Sequence, residues 1–128
     1  MPKYMLIMRA TEEAKASFDA MPFEEVIAAM GAYNEEMLKA GVMVDGDGLA
    51  PEAGLVVDFS TTPPTVTEGP YGELTSLFNG FWMLEVPSIE IAAEWAAKAP
   101  LTAGNRLEIR RVTDESDFPD PDAGGDGG

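Results

Sequence analysis

A chain of 128 residues with 23 acids, eight bases and no histidine carries a formal net charge of −15 and supports one domain with a core that needs no staples. Without cysteine or histidine it has no disulfide, no thiolate nucleophile, no Cys or His zinc or haem ligand and no Ser-His pair, so no cofactor is expected. A pI near 4.1 argues against nucleic acid, and no apolar run approaches the roughly 20 residues of a membrane span. Met1-Pro2-Lys3 lacks the apolar stretch of a signal peptide, which makes the cytoplasm the expected location.

Lys3 to Arg9 (KYMLIMR) is a near-continuous apolar run suited to a central strand. A helix is expected over Phe23 to Ala40, with Phe23, Val26, Ile27, Met30, Tyr33 and Met37 on one face. Pro22 suits its first position, Glu24 and Glu25 favour the positive end of its dipole, and Gly41 supplies the left-handed stop. A short strand, Val42 to Val44, then leads into a glycine turn, Asp45-Gly46-Asp47-Gly48-Leu49. Leu55 to Phe59 and Thr65 to Thr67 are expected as a peripheral strand pair, because Pro63-Pro64 disfavours a tight hairpin turn.

Phe81 to Val86 (FWMLEV) is strongly strand-prone. Ser88 caps a second helix that carries Ile91 and Trp95 four apart and stops at Pro100. Asn105 to Val112 alternates polar and apolar residues, which fits an edge or half-buried strand. The order is the split βαβ pattern with an inserted hairpin, both helices lying on one sheet face. The other face is mixed, apolar in the first strand and charged in the last through Arg106, Glu108 and Arg110. A homodimer with its two sheets facing each other would cover it. Thr113 to Gly128 holds six acids and no base, and reads as an acidic flexible tail after a domain spanning 1–112, with Phe118 its one apolar anchor.

Val66 to Val86 (VTEGPYGELTSLFNGFWMLEV) resembles the signature region of the YCII-related, DGPF-motif family. Glu68-Gly69-Pro70-Tyr71 fills the motif, Glu73 keeps the acid that follows it, and Asn79-Gly80-Phe81 opens the next strand where the family reads Gly-Gly-Phe. YMLIMR, GDGL, EWAAKAP and LEIRRV extend the resemblance over residues 3 to 112. The resemblance implies a ferredoxin-like α+β sandwich that pairs as a dimeric α/β barrel. Glu68 and Tyr71 replace the family's Asp and Phe. A histidine–aspartate dyad credited to YciI-like members does not carry over, since the chain has no histidine and Ala99 precedes Pro100.

The candidates for chemistry are few. Gly69-Pro70 is a turn signal that could present Glu68 and Tyr71 to a cleft, or simply shape a loop. Glu68, Tyr71 and Glu73 are the catalytic candidates, the carboxylates as bases made effective by burial and the phenol as donor. Arg9, Arg106 and Arg110 lie on expected strands, which points either to a carboxylate-bearing metabolite or to pairing with Glu85 and Glu108. Asp45 and Asp47 flank Gly46 like the start of a calcium loop, but the twelfth loop position is Val56, so no metal is expected. Trp82, beside Phe81, is more often core than pocket. Arg9, Asp47, Trp82 and Arg110 are the ligand-binding candidates, and the abundance of methionine would suit a pocket tolerant of several apolar ligands. Two function classes stay open: a small-molecule enzyme or binder working inside a dimer, and a non-catalytic dimeric interaction or ligand-binding module.

Overall fold

A computed structural model describes residues 1–49, 54–69, 77–101 and 104–118. Its main sheet contains β1 (Lys3–Ala10), β2 (Met43–Gly48), β5 (Leu77–Glu85) and β6 (Arg106–Arg111), in the spatial order β2-β5-β1-β6 with every neighbour antiparallel. Strands β3 (Leu55–Asp58) and β4 (Thr65–Glu68) form a separate two-stranded sheet, as the double proline leads one to expect. With helices α1 (Glu12–Asp19), α2 (Phe23–Lys39) and α3 (Ile89–Ala96), the architecture is α+β and consistent with a ferredoxin-like fold carrying an inserted hairpin. No helix among the described residues is long and apolar enough to cross a membrane.

The core lies between the sheet and α2 and α3. Tyr4 and Leu6 of β1 and Trp82 and Leu84 of β5 pack against Tyr33 and Met37 of α2 and Ala92 of α3. Leu6, Met37, Leu84 and Val86 are fully buried, each worth about 1.5–3 kcal/mol of transfer free energy. The rings of Tyr33 and Trp82 meet edge to face at 5.3 Å. Both polar tips are satisfied: Trp82 Nε1–H donates to Asn34 Oδ1 at 2.8 Å, and Tyr33 O–H donates to the Trp95 carbonyl at 2.7 Å. Burial first, and the nearby Glu36 charge second, push the Tyr33 phenol up to about 12.

Two sequence expectations need correcting, and one helix was not expected. Helix α1 carries a weak apolar pattern, with Ala14 buried and Glu12, Glu13, Lys15 and Asp19 exposed. Its start is set by Thr11, whose Oγ1 accepts the Ala14 N–H and donates to the Gly104 carbonyl, both at 3.0 Å. The Asp45–Gly48 stretch is strand rather than turn. Its glycines serve close approach: a Cβ on Gly46 would lie 2.9 Å from Trp82 Cδ1, and one on Gly80 would lie 2.9 Å from the Asp47 carbonyl oxygen. Finally, the apolar stripe of α2 is wider than the sheet beneath it. Val26, Tyr33 and Met37 are buried, whereas Phe23 and Ile27 are 76% and 55% exposed.

Other local readings hold. Gly41 sits at φ +73 after α2, and the Ser88 hydroxyl accepts the Ile91 N–H at 3.3 Å to cap α3. Pro22 stands one place earlier than expected, in the cap position. Past β6 the chain makes a single 3-10 turn, Glu115–Asp117, in which the Arg111 guanidinium grips both carboxylate oxygens of Asp117. That pairing holds the Asp117 carboxyl down to about 2. The ion pair, not Phe118, makes this attachment, since Phe118 is 63% exposed. The remainder of the expected tail, 119–128, lies outside the described residues.

Two glycines should respond in opposite directions to alanine. Gly80→Ala forces backbone apart and should lower stability by about 1–3 kcal/mol, whereas Gly31→Ala, in mid-helix with nothing within 4 Å of its Cβ, should raise it by about 0.5–1 kcal/mol. Urea unfolding midpoints at constant slope check both. An equal response from the two positions would contradict the close strand approach.

Tyr33 makes a pH prediction. Its folded pKa is raised, so the stability linked to its neutral form is complete below the ordinary value of 10.0 and is lost as pH rises through about 12. Difference absorbance titration of the protein against Tyr33→Phe should remove a phenol that ionises near about 12. Loss of one that ionises near 10.0 would contradict the burial argument.

Candidate functional site

Side chains alternate between the two faces of a strand, so the strands that feed Tyr4, Leu6, Trp82 and Leu84 to the core send their other residues to the opposite face. The registers assemble that second face row by row. One row reads Asp45, Met83, Met5, Arg110 across β2, β5, β1 and β6; the next reads Asp47, Phe81, Ile7, Glu108. Beyond them, Phe78 pairs with Arg9 and Arg9 with Arg106. The face therefore has an acidic edge, a centre that is apolar between the Lys3–Glu85 row at one end and Arg9 at the other, and an edge rich in arginine. Ile7 is 6% exposed, and Met5, Phe81 and Met83 are half-buried.

Arg9 is held in place. Its Nε and Nη2 donate to Glu108 Oε1 at 3.3 and 3.1 Å, and its guanidinium carbon lies 5.6 Å from the centre of the Phe78 ring. Both charged side chains are more than a third exposed, so the pair adds little to stability and serves mainly to fix orientation. Of the two expected alternatives for this arginine, pairing with Glu108 is present. Arg106 and Arg110 are exposed on the edge strand.

The structure brings together three of the four ligand-binding candidates. Arg9, Asp47 and Arg110 belong to the second face. Trp82 does not: at 6% exposure, with its N–H given to Asn34, it is a core residue on the side of the helices. Among the catalytic candidates, Glu68 ends β4 opposite Leu55 and is exposed. Gly69 follows at φ +107, the left-handed conformation its turn calls for. Tyr71 and Glu73 lie outside the described residues. No group of three or more acidic side chains gathers as a metal site among the described residues.

One residue escaped the sequence reading. In β5 the pairing steps from Phe78–Arg9 to Gly80–Met8, leaving Asn79 as an extra, bulged residue. Its carbonyl accepts the Leu49 N–H at 2.8 Å, while its side-chain oxygen is buried with no hydrogen-bond partner among the described residues. Only the register reveals it; an Asn-Gly step alone signals a turn.

Comparison with known proteins follows from this geometry. The sequence profile of the YCII-related domain matches residues 3–116. No curated protein matches by sequence. A solved structure of a 5-chloro-2-hydroxyhydroquinone dehydrochlorinase from Burkholderia phenoliruptrix AC1100, in complex with 2,5-dihydroxybenzoquinone, matches with a TM-score of 0.46 and 14% identity. That match covers 93% of this chain and 100% of the other, a likeness too loose to carry chemistry across.

Proposed function

The chain belongs to the YCII-related domain family, and from that premise we propose that it handles a small molecule as a homodimer whose second sheet faces enclose the ligand. The observation that carries the proposal is the make-up of that face: an apolar strip of Met5, Ile7, Phe81 and Met83 ending at the fixed Arg9–Glu108 pair. Such a surface suits a molecule with an apolar body and one carboxylate or hydroxyl end. Methionine lets the strip adapt to several shapes.

Catalysis, where present, falls to Glu68, Tyr71 and Glu73 as proton-handling groups. Glu68 is exposed, so a ligand or a second chain must cover it before desolvation can help it act as a base. The same exposure favours the second reading, a non-catalytic dimeric module that acts through protein contacts, without binding a small molecule, or binds one without turnover.

The test uses protein labelled with carbon-13 at the methionine methyls and titrated with benzoate, salicylate and 4-hydroxyphenylacetate. Met5 and Met83 should shift on binding, while the fully buried Met37 in the opposite layer should not. Light scattering on the same samples should give twice the 13.7 kDa chain mass. A dimer whose Met5 and Met83 signals ignore every probe supports the non-binding module, and a monomer contradicts the enclosed site.

A further inference from the structure

Helix α2 carries more apolar surface than the core takes up. At 3.6 residues per turn, Phe23, Ile27, Gly31 and Leu38 fall within an arc of about 80° on the helix surface. That arc lies beside the one that carries the buried Val26, Tyr33 and Met37. Phe23, Ile27 and Leu38 are 76%, 55% and 60% exposed, so it faces solvent rather than the sheet. One exposed apolar side chain is ordinary; three in line along about 22 Å of one helix form a contact surface. Gly31 leaves a gap between Ile27 and Leu38, with nothing within 4 Å of the position a Cβ would take.

The charges around this stripe have one sign. From Asp19 to Leu38 the chain holds five acids, Asp19, Glu24, Glu25, Glu35 and Glu36, and no base. All five are exposed, and Glu24 and Glu35 fall next to the stripe on its solvent side. The first cation after them, Lys39, lies 3.1 Å from Glu35 and leaves the other four acids uncompensated on this helix and its approach. A second copy of the chain would set these acids against their own kind, in a molecule that already carries −15. Charge complementarity selects a basic partner.

The shape of the stripe selects a helix. Phe23, Ile27 and Gly31 follow one another at i, i+4 and i+8, the ridge that seats in the groove of a second helix, and the gap at Gly31 admits one of its side chains. We infer that this flank of α2 docks a basic amphipathic helix of another protein, with its apolar side along Phe23, Ile27 and Leu38 and its lysines or arginines at Glu24 and Glu35. The apolar stripe supplies the affinity, while the acids speed approach and reject acidic helices. Helix α2 lies across the sheet from the proposed small-molecule face, so this surface does not depend on that reading.

The probe is a dye-labelled peptide of two LKKLLKL repeats, titrated with the full-length chain at a salt concentration of about 0.15 M and read by fluorescence anisotropy. It should bind, and a scrambled peptide of equal charge with no apolar face should not. Phe23→Ser with Ile27→Ser should weaken binding at least about tenfold. Glu24→Gln with Glu35→Gln should weaken it less and flatten its dependence on salt. All four side chains are exposed, and circular dichroism checks that each variant folds.

Equal binding of both peptides, or binding that the serine variant leaves unchanged, would overturn the proposal, because the overall negative charge would then account for it. Binding of neither peptide would overturn it too. Self-association that the serine variant loses would give the stripe to a second copy instead. Attachment to phosphatidylcholine vesicles that the same variant loses would give it to a membrane.

Discussion

Strand side chains alternate with a period of two, and in this protein that alternation divides the chemistry of the molecule. Once Leu6 and Leu84 are fixed in the core under α2 and α3, their strand neighbours Met5, Ile7, Phe81 and Met83 are committed to the other side of the sheet. A shift of one residue in either central strand would exchange the two sets and leave Trp82 without Asn34. The Tyr33–Trp82 contact and the bonds from both rings to Asn34 and Trp95 hold that register from the helix side. The second sheet face is thus specified by packing on the face behind it.

Glycine supplies the clearance this arrangement needs. Strand β2 can run beside β5 only because Gly46 leaves room for the Trp82 ring and Gly80 leaves room for the backbone of β2. The consequence reaches the second face directly, since Asp45 and Asp47 alternate with Gly46 and Gly48. The glycines face the helices and the carboxylates face away. A segment that looks like a loop is therefore the acidic edge of the sheet, and the Arg9–Glu108 pair and its flanking arginines form the opposite one.

Much of the fold was legible where a single strand or helix carries its own signal. The alternation of Arg106, Leu107, Glu108, Ile109 and Arg110 marked β6, and Ser88 with Pro100 bracketed α3. What stayed hidden depends on neighbours. Phe81 and Trp82 are adjacent and equally apolar, so only the register shows which one enters the core. Pairing of Arg9 with Glu108 was one of two expected alternatives, but the residues stand 99 positions apart and only the β1–β6 register shows that they meet. Asp-Gly-Asp-Gly reads as a turn until Trp82 is seen to need the space. Thr11, followed by Glu12 and Glu13, was an available helix-start signal, and the weak apolar pattern of α1 obscured it.

In the proposed homodimer the second sheet face is buried against another copy of the chain. Hydroxyl-radical footprinting across a dilution series tests it most directly. As concentration rises, Met5, Phe81 and Met83 should lose reactivity together, while Phe23 and Phe118, which are 76% and 63% exposed and lie outside the four sheet strands, should keep theirs. Reactivity at Met5, Phe81 and Met83 that does not change with concentration, in a sample that light scattering shows to be associating, would contradict it.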